Sequence, residues 1–282
     1  MTNYSINLSP NLVNISSEGG LDTSVLNGKS LQRTVNGLMI KTNSGRKIVG
    51  RLQDNEQFND EIEKVKDLPE IVSTGGVYIL VNNDYVDYEG GEGAEASNLV
   101  ILMDQIGISY ETFTDISSST FESLSSGSKL LIPELERGSL YPNLSNEAKS
   151  AIDNFVGNGG KLIMFAPSSG NLINFINNIF GFSLTGSDIN SPISLSVEGA
   201  ALFSNESSTI SDNDATSAIN TASLPEGSVS IYEGSGENQT VVAMIPYNSG
   251  EIYILGWDWF SAAPDYSQDG GWNHLLQSIL EL

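Results

Sequence analysis

The stretch Val77-Tyr78-Ile79-Leu80-Val81-Asn82-Asn83-Asp84 decides the fold class. Its first five residues are apolar without alternation, and Val77, Ile79 and Val81 are β-branched. A strand of that kind is expected to be buried on both faces, as in a parallel sheet. C-terminal to it the pattern alternates. Ala94–Ile106 reads as a helix with Leu99, Leu102, Met103 and Ile106 on one face and Gly107 as its stop. Ile108–Phe113 and Lys129–Ile132 read as the next strands. Ser145 can cap a helix carrying Ala148, Ala151, Ile152, Phe155 and Val156. Lys161–Phe165 is the fourth strand, and Leu172, Phe175, Ile176, Ile179 and Phe180 mark the helix after it.

Residues 181–227 are rich in Ser and Asn with weak β signals. Strands near Val229–Tyr232, Thr240–Ile245 and Glu251–Trp257 precede a last helix with Trp272, Leu275, Leu276, Ile279 and Leu280 on one side. Alternating elements of this type predict an α/β domain over 76–282, with a doubly wound, mostly parallel, flavodoxin-like sheet.

N-terminal to Val77 the character differs. Residues 1–28 show no sustained period and read as an extended arm. Leu31–Val35, the pair Asn36-Gly37 and Leu38–Thr42 read as a hairpin, because Asn-Gly suits the positive φ angles of a tight turn. Lys47–Leu52 completes a three-stranded meander, and Phe58–Leu68 is a short charged helix ended by Pro69. Residues 1–75 thus form a β-rich arm, a possible assembly element.

Composition narrows the chemistry. The 282 residues contain no cysteine, which excludes disulfides, thiolate metal sites and a cysteine nucleophile. Twelve basic residues face 35 acidic ones, a net charge of −23 that disfavours nucleic acid and anionic membranes. Eight of the basic residues, against nine acidic, lie in 1–75, so the rest of the chain holds four against 26. No apolar run is long enough to span a bilayer, so no transmembrane segment is expected. The N-terminus also lacks the basic and apolar regions of a classical signal peptide. Only 17% of the residues are charged, with Ser, Asn, Thr and Gly supplying polarity. That composition suggests an extracellular or surface protein, with a cytoplasmic one as the alternative.

The order of motifs VYILVNNDYVD (77–87), KLLIPELERG (129–138), FVGNGGKLIMFAP (155–167), FGF (180–182) and EIYILGWDWF (251–260) resembles class I glutamine amidotransferase-like domains. It is most similar to their non-amidotransferase relatives in bacterial surface and secreted proteins. The resemblance implies a flavodoxin-like scaffold over 77–282. Amidotransferases of this class place a Cys on a sharp strand-to-helix elbow and complete it with a late His and Glu. Here the elbow reads Phe165-Ala166-Pro167-Ser168-Ser169-Gly170, and Gly256-Trp257-Asp258-Trp259 stands where a His-x-Glu would be. Glutamine hydrolysis by that machinery is excluded.

Other chemistry has both a functional and a bland reading. Ser168 fits a relaxed elbow between a strand and a helix, with Asp258 and His274 following in the order of a hydrolase triad. His274 is the sole histidine, and on a helical wheel it falls away from Leu275, Leu276 and Ile279, toward solvent. Asp84, Asp87, Glu89, Glu92 and Glu95 crowd the loop after the first parallel strand, and Glu134, Glu136 and Asp258 are expected at the same edge. That edge is where α/β sheets bind ligands. A divalent cation or a sugar could sit there. The spacing is not that of a calcium-binding hand, so no metal site is assigned, and a solvated acidic rim is the alternative. Trp259, with Trp257, Phe260 and Trp272, is either a stacking platform for sugar or core packing. Asn82-Asn83-Asp84 puts an acid where a phosphate would lie, so no nucleotide, flavin or other cofactor is expected.

Arg33, Lys41, Arg46, Lys47 and Arg51 make the meander basic beside an acidic body. Such an arm suits docking onto a second copy, as a homo-oligomer or a head-to-tail polymer. The composite expectation is a non-enzymatic structural or binding protein, with a hydrolase or carbohydrate-active site using Ser168, Asp258 or Glu134 as the alternative.

Overall fold

In a computed structural model the chain divides into two compact units, Met1–Thr74 and Gly75–Leu282. The structure describes residues 75–167 and 170–282 in full and, of the first 74, the backbone of five strands. The expected helix over Phe58–Leu68 lies outside the described residues, as does Ser168.

In the first unit β1 (Ser5–Ser9) pairs antiparallel with β2 (Leu12–Ser16), so the expected arm contains a paired ladder. The ladder has a sequence rationale in an alternation too short to register as a sustained period. Ile6 and Leu8 alternate with Ser and Asn, and Val13 and Ile15 do the same. β3 (Ser30–Thr34), β4 (Gly37–Lys41) and β5 (Lys47–Gly50) form the predicted meander in the order β3-β4-β5. The last pair of its hairpin is Thr34 with Gly37, so Gly37 belongs to the strand and not to the turn.

The second unit is built on one 11-stranded mixed sheet. β6 (Val77–Leu80), β7 (Tyr110–Phe113), β8 (Lys129–Ile132), β9 (Lys161–Phe165) and β16 (Gly250–Leu255) form its parallel body in the order β7-β6-β8-β9-β16. All four of its internal pairings are parallel. The helices between them are α1 (Glu95–Ile106), α2 (Ser118–Glu122), α3 (Asn146–Gly157) and α4 (Asn171–Phe180).

Two local predictions rest on single residues. Gly107 closes α1 in the left-handed region at φ 72°, and Ser145 Oγ accepts from Ala148 N at 3.1 Å to cap α3.

β14 (Val229–Glu233) and β15 (Gln239–Tyr247) continue the sheet beyond β16, and every pairing on that side is antiparallel. Shorter strands extend it: β10 (Gly186–Ser187), β11 (Ile193–Leu195), β12 (Thr209–Ile210) and β13 (Ala218–Asn220). A short helix α5 (Val197–Leu202) and the last helix α6 (Trp272–Glu281) complete the unit. The sequence reading did not separate the antiparallel extension from the parallel body. A strand buried on both faces carries the same apolar run in either direction.

Helices cover both faces. Leu99, Leu102 and Met103 of α1 and Leu275, Leu276 and Ile279 of α6 pack on one. Phe121 of α2, Ile152 and Phe155 of α3, and Leu172, Phe175 and Ile176 of α4 pack on the other. This is the double winding that right-handed crossovers produce. Among the described residues no helix is long and apolar enough to cross a membrane.

Candidate functional site

The parallel strands deliver three carboxyl groups to their common C-terminal edge. Glu95 opens α1 after the β6 loop, Glu134 follows β8, and Asp258 follows β16. One carboxylate oxygen from each lies within 4.8 Å of the others. Asp87, Glu95 and Glu136 form a second such group, so Glu95 belongs to both. Glu95 is 5% exposed, Asp258 3% and Glu134 9%, whereas Asp87 is half-buried and Glu136 exposed. Asp84 is exposed and lies outside both groups.

Burial dominates the electrostatics. Desolvation pushes the Glu95 carboxyl up to about 8, with the charges of Asp258, Glu136 and Asp87 adding to the effect. Desolvation likewise raises Glu134, helped by Asp258, and raises Asp258. Within that pair Glu134 is the member that keeps its proton and donates it to Asp258. Asp258 Oδ1 also accepts from Phe260 N at 2.8 Å. Glu95 Oε2 is buried and has no hydrogen-bond partner. Arg137 is engaged elsewhere, 3.1 Å from Asp87 and 3.5 Å from Glu89. Among the described residues none of the three inner carboxyls forms an ion pair.

The ledge carrying Asp258 is braced. Trp259 and Ser261 are non-glycine residues at φ 73° and 50°, a conformation that side chains of this bulk rarely adopt. Asn98 Nδ2 donates to Trp259 O at 2.9 Å and to Glu92 O at 3.1 Å, tying the ledge to the start of α1. Ser261 N donates to Glu92 O at 2.9 Å, and Ser261 Oγ donates to Glu92 Oε1. Trp259 Nε1 donates to Asn273 Oδ1 of α6 at 2.9 Å. Gly256 has to be glycine, since a Cβ there would lie 2.2 Å from Ser217 O.

Trp257, Trp259 and Trp272 are each 0% exposed and pack on one another, Trp257 and Trp259 with ring centroids 4.8 Å apart. Trp259 is therefore core and presents no face to a sugar. The stacking-platform reading is corrected accordingly. Aromatics this close to a sheet end can be read either way, and the large apolar face of α6 decides for packing.

The elbow after β9 is strained at Ala166, with φ 53° and full burial, and Ala166 N donates to Leu255 O at 2.9 Å. The left-handed residue at the strand-to-helix turn thus carries a methyl group. His274 is exposed on α6, with Nδ1 2.9 Å from Glu206 Oε2, and the contacts of Asp258 are Glu134 and Phe260. The triad ordering seen in the sequence does not bring Asp258 and His274 into contact. The side chains of Arg33, Lys41, Arg46, Lys47 and Arg51 lie outside the described residues. A separate groove of about 530 Å³, lined in part by Phe121, Glu122, Glu147 and Phe155, contains none of the predicted site residues.

What the sequence reading missed is the part played by Glu95. It was one acid among five in a loop, yet it opens a helix whose buried face begins with it and Ala96.

The strand order β7-β6-β8-β9-β16 and the two helical layers define a doubly wound, flavodoxin-like α/β scaffold. A ThuA-like protein from Bacteroides uniformis superposes with a TM-score of 0.50 at 13% identity, over 73% of this chain and 89% of that one. At that identity the likeness shows the fold alone. A GMP synthase component from Thermoplasma acidophilum (TM-score 0.45, 14% identity, 73% of this chain and 93% of that one) fits more loosely. So does an exo-β-1,4-mannosidase from an Opitutaceae bacterium (TM-score 0.44, 13% identity, 79% of this chain and 38% of that one). Neither bears on function. No family model matches the sequence, and no curated protein does so either.

Proposed function

We propose that this chain is a non-catalytic binding protein whose ligand site is the carboxylate-lined edge where β6, β8 and β16 end. The observation that carries the reading is Ala166. The strained elbow position, where enzymes of this architecture hold a nucleophile, ends here in a methyl group. The chain has no thiol, and its only imidazole is paired with Glu206 on an exposed helix face. A panel of glutamine, aryl esters and aryl glycosides tests the reading, with the expected result being no turnover above buffer. Turnover that disappears in Ser168→Ala or Glu134→Gln would establish the hydrolase or carbohydrate-active alternative instead.

The first unit carries a second reading, favoured by the unequal charge of the chain and by small sheets of two and three strands, which are marginal alone. In it, the basic strands dock onto the acidic body of another copy, giving a surface or extracellular polymer. Light scattering on the full chain and on one lacking residues 1–74 checks this. Loss of assembly, or its loss in high salt, is expected, and an unchanged size would end the idea.

A further inference from the structure

We propose that Glu95, Glu134 and Asp258 hold a hard divalent cation of the calcium type. Four observations converge on it. Glu95 opens α1, Glu134 lies two residues beyond β8 and Asp258 three beyond β16, so the order of the strands brings the three side chains to one sheet edge. Their oxygens lie at most 4.8 Å apart. Oxygens that close can share one hard cation. The two carboxyl groups that share Glu95 from the outer side raise the number of oxygens on offer toward the roughly six to eight that calcium takes, whereas magnesium usually keeps several waters. The donor set is all carboxylate oxygen, which suits hard cations and not zinc or copper.

The fourth observation points most directly to a ligand. Glu95 is only 5% exposed, its carboxyl group meets the other two, and its Oε2 is buried and receives no hydrogen bond from the protein. A buried polar atom without a partner costs about 1–3 kcal/mol, and native folds rarely leave one unused. Arg137, the basic side chain on this rim, pairs with Asp87 and Glu89 and leaves the inner three without a counter-charge among the described residues. Asp87 and Glu136 share Glu95 from the outer side and supply further oxygens toward solvent.

The proposal rests on the reading of this edge as a binding site, and the two fail separately. Turnover in the presence of calcium would remove the non-catalytic reading and leave the ion site standing. Absence of saturable calcium binding, with no turnover, would remove the ion site alone.

The test uses the full chain, stripped with chelator, at pH 7.5 in 0.1 M KCl. Titration calorimetry with CaCl2 is expected to show one saturable site per chain. Glu95→Gln and Asp258→Asn, which keep side-chain shape and remove charge, are each expected to weaken it at least tenfold. Asp84→Asn, at an exposed acid outside the cluster, is expected to leave it unchanged. Terbium luminescence excited through tryptophan gives a second readout, because Trp257 and Trp259 flank Asp258 in the chain. Calcium is expected to displace terbium at least tenfold more effectively than magnesium. Far-ultraviolet circular dichroism confirms that each variant is folded. Only weak, unsaturable binding, or binding that survives in both folded variants, would assign the calcium to general surface acidity and overturn the site.

Discussion

Two glutamates in this molecule keep their carboxyl groups from solvent and are treated in opposite ways. The Glu206 side chain is 3% exposed, and the protein supplies its partners: His274 Nδ1 at 2.9 Å and Ser278 Oγ at 2.5 Å, both from α6. Glu95 is 5% exposed, and instead of donors it meets two further acids, with one oxygen left unpartnered. A carboxylate that the fold satisfies by itself is structural. One that the fold buries beside like charge is a place where stability has been given up, and such places concentrate at functional sites. The contrast separates a closed buried acid from an open one within a single domain.

The comparison can be broken most severely at the ledge. Trp259→Ala removes a fully buried side chain that stacks on Trp257 and bonds Asn273, and a loss of about 3–5 kcal/mol is expected. Chemical denaturation measures it, and a loss under 1 kcal/mol would show that the ledge does not depend on its tryptophan. Next in size is Glu206→Ala, which strands the Ser278 hydroxyl and costs about 1–3 kcal/mol. Glu95→Gln, at the other member of the pair, is expected to leave stability unchanged or raise it at pH 8 without added cation. If both substitutions destabilise alike, the two acids are not different in kind.

Those expectations use contacts that the sequence discloses only in part. VYILV at 77–81, the Gly107 stop and the Ser145 cap were legible because each depends on local chemistry. The acidic edge was legible as a region, since the loop after β6, Glu134 and Asp258 all follow parallel strands. That Glu95 faces Glu134 and Asp258 was not legible, because 163 positions separate its ends in sequence and only the strand order β6-β8-β9-β16 brings them together. The burial of Trp259 was hidden for a similar reason, as it depends on where α6 docks. Ala166 was read as a flanking residue of the elbow, and only its φ angle marks it as the strained one.

The pH dependence sharpens the comparison further. Glu95 is raised from its ordinary 4.5 to about 8, so the folded chain binds a proton that the unfolded chain releases. Its contribution to stability is fully present below about pH 4.5 and is lost as pH rises toward 8. The cation-free protein is therefore expected to melt at least about 3 °C higher at pH 5 than at pH 8, given that about 1 kcal/mol moves the midpoint by 2–4 °C in a domain of this size. Glu134 and Asp258 act in the same direction, and the general repulsion of an acidic surface adds to them. Glu95→Gln isolates one share. A melting curve whose pH dependence is as steep in that variant as in the parent would show that Glu95 is not the titrating group.

The smallest effect belongs to the ion pair on the closed side. Glu206 raises the His274 imidazole above its ordinary 6.5 through a hydrogen bond and charge attraction, with Glu281 and Asp269 contributing. Stability from that pair is complete below pH 6.5 and is lost as pH rises through the higher folded value. His274 is 63% exposed, and solvent screens the interaction, so His274→Gln is expected to cost less than about 1 kcal/mol at pH 6 and nothing measurable at pH 9. Glu206 keeps its bond from Ser278 in that variant, so its burial remains tolerable, unlike the case of Glu206→Ala. Denaturation curves at the two pH values check this. A large loss at pH 9 would mean that the neutral imidazole, through its packing on α6, contributes more than its charge, and the closed acid would then depend on shape as much as on electrostatics.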